Sequence, residues 1–164
     1  MPNLRQLNLL IFLATLAIMG VALFMQHVMD LVPCYLCIVQ RVFVVVTGCI
    51  ALLAYIHNPG NTGIRVYGAA TAISALAGGG FSIRQLWLQS LPEDEIPACG
   101  PGLSYIVENL EYFPMQEVLT MMLTGTGDCA DVQWVFLGLS IPGWTLFVFV
   151  SMIVLGLFQL LRRR

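Results

Sequence analysis

Five cysteines carry the chemistry of this sequence: Cys34, Cys37, Cys49, Cys99 and Cys129. Cys34 and Cys37 form a C-x-x-C within Pro33-Cys34-Tyr35-Leu36-Cys37, at the start of an apolar run. Such a pair serves as half of a zinc site, as a redox pair or as a structural clip. Zinc would want a second tight pair or nearby histidines. Cys99 and Cys129 are too widely spaced, and His27 and His57 fall elsewhere, so no metal is expected. Redox chemistry suits a C-x-x-C at a helix start, because free backbone N–H groups and the helix dipole stabilise a thiolate there. Arg41 follows Cys37 by one helical turn on the same face. Its charge would favour the thiolate further, and its guanidinium could donate to a carbonyl of a membrane-borne acceptor. The plainer reading is an arginine snorkelling to the membrane boundary.

Cys99 stands in Pro97-Ala98-Cys99-Gly100-Pro101-Gly102, and Cys129 follows Gly125-Thr126-Gly127-Asp128. Both segments read as non-helical and mobile, with accessible sulfurs, as exchange with a partner or a second cysteine pair requires. As a static staple, a bridge between them would close about 29 residues and stabilise by roughly 3–4 kcal/mol. Cys49, about 18 Å deeper than Cys37 at 1.5 Å per residue, reads as an inert core cysteine.

The elements that must position these thiols are membrane helices. Of the 164 residues, 59% are apolar and 10% charged, and mean hydropathy is +0.86. A soluble domain carries about 25% charged residues. A disordered chain and a soluble globular domain are therefore excluded. The net charge of −2 and the absence of lysine exclude a basic nucleic-acid binder. Four stretches approach the roughly 20 apolar residues needed to span a bilayer. They are Asn8 to Gln26, Leu36 to Ile56, Val66 to Trp87 and Trp144 to Leu161. The first exceeds the apolar core of a signal peptide and lacks its cleavage pattern, so it reads as a helix of the mature protein. The expected fold is an all-α membrane protein, one domain over 1–164, with a four-transmembrane-helix antiparallel bundle and a long loop over 88–143.

Charge sorting gives the orientation. Arg5, Arg65 and Arg162 to Arg164 fall on one side and all nine acids on the other. The positive-inside rule then places both termini in the cytoplasm and the long loop outside, where disulfides persist. Arg41 and Arg84 break the sorting, at the outer boundaries of the second and third spans. In the loop, Leu103 to Leu110 and Met115 to Leu123 show helical apolar spacing, interrupted by Pro114. They read as short helices lying on the outer membrane surface. Gly78-Gly79-Gly80, with Ser74 and Ala75 one turn before, suits close helix packing or room for a flat ring. Trp87, Trp134 and Trp144 sit where an aromatic belt would place them.

The ordered set resembles the disulfide bond formation protein B (DsbB) family. The resemblance rests on Cys34-Tyr35-Leu36-Cys37-Ile38-Val39-Gln40-Arg41, on Ala98-Cys99-Gly100-Pro101-Gly102, and on Asp128-Cys129-Ala130-Asp131-Val132-Gln133-Trp134 through Pro142 and Trp144. It covers essentially the whole chain. It implies a bacterial inner-membrane thiol oxidoreductase. Its partner would be a DsbA-like periplasmic thiol oxidase. Its acceptor would be the membrane quinone pool, ubiquinone or, under anaerobic growth, menaquinone. Carried over, Cys99 and Cys129 form the disulfide that the reduced partner attacks, with Cys99 taking the mixed disulfide. Electrons then pass to Cys34 and Cys37; Cys37 engages the quinone and Arg41 supports its site. Some members carry a histidine near the end of the third helix where this chain has Gln85. Gln85 could hydrogen-bond a quinone carbonyl but not act as a base, and Arg84 is a candidate substitute. DsbA is a strong oxidant at about −120 mV, so only a more oxidising sink can drain it.

Two other readings compete. A reductase like vitamin K epoxide reductase also uses four helices, a C-x-x-C and loop cysteines, but there the loop pair precedes the C-x-x-C. A non-enzymatic membrane protein with two structural bridges would keep all four outer cysteines oxidised and exchange with nothing.

Overall fold

The computed structural model describes residues 3–101, 105–106, 111–112 and 114–162. Four long apolar helices dominate it: α1 (Leu4–His27), α2 (Tyr35–His57), α3 (Asn61–Gln89) and, after the loop, α5 (Ile141–Leu161). All four are long and apolar enough to cross a membrane. Their ends follow local chemistry. The Gln6 side chain accepts from the Asn3 backbone N–H at 3.1 Å at the start of α1. Asn58, in a left-handed conformation (φ 41°), ends α2 just before Pro59. Pro142 occupies the first turn of α5, where its missing N–H is harmless. The helices begin earlier than the apolar runs do, because backbone hydrogen bonding continues past the hydrocarbon into polar residues.

The pairing is antiparallel. Thr15 of α1 faces Gly48 of α2, Thr47 of α2 bonds Ser74 of α3 at 3.0 Å, and Gly68 and Gly79 of α3 face Gly156 and Phe149 of α5. Gly68 and Gly156 admit one another's backbone: a Cβ on either would lie 2.8 Å from the other's carbonyl oxygen. Lipid tails are as apolar as leucine, so helices in a bilayer associate through such close contact. At Gly78 a Cβ would fall 2.4 Å from the Phe149 ring. The glycine run therefore receives a flat ring, and the ring is the chain's own. The core runs down the bundle. Leu4, Leu7, Ile11, Ala51 and Ile64 fill the end opposite the cysteines, and Val44, Ala75, Phe149 and Met152 fill the middle. Leu13, Leu16, Val45, Leu76 and Val150 stay exposed, as on faces that lipid covers.

Among the described residues, the loop contains the helix α4 (Met115–Thr124), a 3-10 turn (Gly127–Cys129) and a two-stranded hairpin, β1 (Val135–Phe136) with β2 (Leu139–Ser140). α4 docks Val118, Met121 and Met122 on Tyr35 and leaves Met115, Leu119 and Leu123 exposed. Of the other expected surface segment, over 103–110, all but Tyr105 and Ile106 lies outside the described residues. The hairpin was not expected. Its tip, Leu137-Gly138, has two positive φ angles (51° and 81°), the geometry of a tight hairpin turn, but leucine at the first position hides the signal. Phe136 stacks on Trp134, and Trp144 donates its ring N–H to the Phe136 carbonyl at 3.1 Å.

Candidate functional site

The site forms where α2 begins. Cys34 is the N-cap residue, with extended backbone, and Cys37 lies in the first turn. This places the two sulfurs on one side of the helix, 3.2 Å apart as free thiols. Gln85 reaches across from α3. Its side-chain amide donates to the Cys34 and Cys37 sulfurs, each at 3.3 Å, and its carbonyl accepts from Gln40 at 2.8 Å. Gln40 and Gln85 are both buried, and the Gln85 carbonyl satisfies the Gln40 side-chain N–H there.

The loop brings Cys129 to the same place. Its sulfur is buried in one cluster with Cys34, Leu36 and Leu88. The Cys34 thiol donates to it, and the backbone of Leu36 and Thr126 adds further hydrogen bonds. Together these lower the Cys129 thiol to about 6 against the desolvation that opposes them. The same hydrogen bond to Cys129 pushes Cys34 in the opposite direction, joined by the bond to Cys37 and by burial. Leu36 stands in the first turn of α2, so the helix start favours a thiolate on the loop cysteine as well.

That placement corrects the expectation of two accessible loop sulfurs. Cys129 is 0% exposed. Its turn is flexible in composition, yet it seals against the bundle because Gly125 fits between Leu36 and Leu88, where a Cβ would lie 2.8 and 2.9 Å from their methyl groups. Cys99 alone is the exposed loop thiol. Its hydrogen bond to Asp128 raises its pKa, reinforced by the carboxylate charge. Its segment is also held: the Tyr35 hydroxyl donates to the Pro101 carbonyl, and Gly127 N–H donates to the Ala98 carbonyl at 3.2 Å. Cys49 is corrected too. It is exposed on the outward face of α2, not packed in the core.

A cavity of about 440 Å³ opens beside these thiols, between the halves of α1, α2 and α5 that lie at the thiol end of the bundle. Cys37, Gln85, Gln40 and Arg41 supply its polar side, and Ile18, Val21, Val44 and Val148 belong to its apolar wall. Arg41 is directed at α1, donating to the Gln26 side chain and to the Ala22 carbonyl at 3.3 Å. Arg84 points away from the thiols. Its guanidinium lies 4.3 Å from the Trp87 ring centroid and donates to the Thr124 carbonyl at 3.2 Å, so it holds the end of α4. Gln40 and Asp128 were not singled out in the sequence. A lone glutamine in an apolar run, one turn after a cysteine, and an acid directly before a cysteine were the available signals.

Four apolar helices and a loop that together gather three thiols, two of them bonded to a buried amide pair, beside an apolar cavity define a class: multi-pass membrane thiol oxidoreductases. Comparison with known proteins narrows the class. The family model for "Disulfide bond formation protein DsbB" matches residues 4–159. Disulfide bond formation protein B from Hahella chejuensis is 54% identical over 159 residues, 97% of this chain and 94% of that protein. The proteins of the same name from Saccharophagus degradans and Marinobacter nauticus are 47% and 53% identical, covering 99% and 94% of this chain and 96% and 90% of their own. The chain belongs to the DsbB family, the disulfide-generating oxidoreductases of the membrane.

Proposed function

We propose that this protein is an inner-membrane thiol:quinone oxidoreductase. It reoxidises a DsbA-like periplasmic dithiol oxidase and passes the electrons through two cysteine pairs to membrane quinone. The observation that carries the reading is the burial of Cys129 against Cys34, with Cys99 exposed on one side and Cys37 on the cavity at the other. A relay needs an accessible first sulfur, a sheltered last one and contact between the two pairs.

The relay balances as thiol–disulfide exchange. A thiolate of the reduced partner attacks Cys99 of a Cys99–Cys129 disulfide, and Cys129 leaves with the electron pair. The partner's second thiolate attacks its own sulfur in the mixed disulfide, so the partner departs oxidised and Cys99 is left reduced. The Cys129 thiolate attacks Cys34 of a Cys34–Cys37 disulfide and releases Cys37 as thiolate. Cys99 then attacks Cys129, which restores the loop disulfide and frees Cys34. Two electrons now rest on Cys34 and Cys37.

The cavity suits a quinone head: apolar walls, a size usual for small-molecule sites, and amide and guanidinium donors at the thiol side. A bound quinone supplies a sink for two electrons and two protons. Gln85 holds both sulfurs toward that cavity, and Arg41, fixed by Gln26 and Ala22, offers a positive charge on its wall. The charge sorting supports cytoplasmic termini and periplasmic cysteines: Arg5, Arg65 and Arg162 lie at the end of the bundle opposite the thiols.

The test uses purified protein in detergent with reduced DsbA-type oxidase and a short-chain ubiquinone or menaquinone analogue. Wild type should consume quinone, and Cys37→Ser and Cys99→Ser should stop. A wild type that consumes neither quinone with any dithiol partner overturns the proposal.

A further inference from the structure

The two segments bearing the loop cysteines lie directly on one another, and one carboxylate bonds to both. Asp128 Oδ2 accepts from the Gly100 N–H and from the Thr126 hydroxyl, each at 3.3 Å. It also accepts from the Cys99 thiol. A Cβ on Gly127 would fall 2.4 Å from the Pro97 carbonyl oxygen and 3.2 Å from the Cys99 sulfur, so only glycine permits this stacking. Asp128 precedes Cys129 and borders the same cavity as Cys34 and Cys37.

The relay proposed above contains one step that this geometry addresses. Once Cys129 is joined to Cys34, it must be recovered by Cys99. The thiolate is the attacking form, whereas the thiol beside Asp128 is held protonated. The proton has to leave as the new bond forms, and a carboxylate already bonded to that thiol is placed to receive it.

We propose that Asp128 is the catalytic base of this step: it holds Cys99 over Cys129 and takes the Cys99 proton as Cys99 attacks the Cys34–Cys129 disulfide. The inference rests on the relay reading. The Cys99–Cys129 bond forms, the Cys34–Cys129 bond breaks, and the electron pair of the broken bond leaves on Cys34. The proton passes from Cys99 to the carboxylate and on to the released Cys34 thiolate, which regenerates the base. The step is an exchange and needs no outside oxidant or reductant. The arrangement also sets the order of events. Cys129, favoured as thiolate, attacks first; Cys99, favoured as thiol, attacks last. The titratable group that bears on Cys99 is Asp128 on the facing turn; Cys129 ends that same turn, and Tyr35 at the start of α2 packs against the neighbouring Gly100.

The experiment compares wild type, Asp128→Asn and Asp128→Glu as full-length protein in detergent. Asn keeps an oxygen for Gly100 and Thr126, so the turn is preserved while the base is lost. Quinone-analogue reduction by reduced DsbA-type oxidase is followed across about pH 6 to 9, which brackets the ordinary thiol range. Asp128→Asn should lose about 100-fold near pH 7. The deficit should shrink as pH rises, because the thiolate then forms without a base. The Cys34–Cys129 bond should accumulate in acid-quenched samples, and Asp128→Glu should recover part of the rate. Wild-type turnover in Asp128→Asn, or a deficit equal at every pH, overturns the assignment. A second measurement separates this from failure of the relay itself. In glutathione buffer, without quinone or partner, conversion of a preformed Cys34–Cys129 bond to Cys99–Cys129 should be slowed by Asp128→Asn; equal rates overturn the role of Asp128. A wild type that never reduces quinone overturns the relay instead.

Discussion

Cys129 is buried against Cys34 at the first turn of α2, and the Cys34 thiol donates a hydrogen bond to it. That bond is the largest of several effects that pull the two thiols apart in acidity: Cys129 falls to about 6 and Cys34 rises. Because Cys129 is lowered, it is thiolate above about pH 6. Its exchange rate should be flat there and fall about tenfold per pH unit below. Cys34→Ala removes the donor and should let Cys129 climb back toward the ordinary thiol range, while Cys34→Ser keeps a donor and should hold part of the shift. Thiolate absorbance against pH, with Cys37, Cys49 and Cys99 replaced by alanine, reads this directly.

Gln85 bridges the C-x-x-C sulfurs to Gln40. Hydrogen bonds to charged groups are worth about 1.5–3 kcal/mol, or roughly 10- to 100-fold in rate. Gln85→Leu should therefore lower kcat for quinone reduction by at least tenfold and, by stranding the buried Gln40 amide, lower the thermal midpoint as well. Gln85→His, which keeps a ring N–H, should retain more of kcat. Steady-state kinetics of the two variants side by side provides the check.

Arg41 is held by Gln26 and by the Ala22 carbonyl of α1. A guanidinium bonded in two places is pre-organised, and a lysine cannot reproduce that fork. Arg41→Lys should raise KM for the quinone analogue more than it lowers kcat. Gln26→Leu should move KM in the same direction by a smaller factor, since one of two anchors remains. If the two variants alter only kcat, the guanidinium does not act on quinone binding.

Gly68 and Gly80 lie on the same helix with opposite surroundings. A Cβ at Gly68 meets the Gly156 carbonyl at 2.8 Å, whereas at Gly80 it meets nothing within 4 Å. Gly68→Val should destabilise by about 1–3 kcal/mol through overpacking of α3 against α5. Gly80→Ala should be neutral or stabilise by up to about 1 kcal/mol, as alanine is the better helix former. Thermal unfolding in one detergent compares them.

Much of the fold was legible in the sequence. Continuous runs of about 20 apolar residues fix four helices, because a helix satisfies all of its backbone hydrogen bonds within one such segment. The cysteines, their types and their order could be read in the same way, since the C-x-x-C and Arg41 are local to one helix start. What tertiary structure decided is which sulfur meets which. Cys129 in a glycine-rich loop reads as exposed, yet it is buried on α2 because Gly125 and Gly127 let two loops close on Leu36, Leu88 and Cys99. Cys49 reads as core, yet it faces outward, because hydrophobicity in a membrane helix does not distinguish the lipid face from the packed face. Arg84 and Gln85 are neighbours in the chain, but the turn of α3 sends one to the loop and the other to the thiols. Periodicity determines that a helix exists; its rotation about its own axis is set by the partners it packs against, and those partners are distant in sequence.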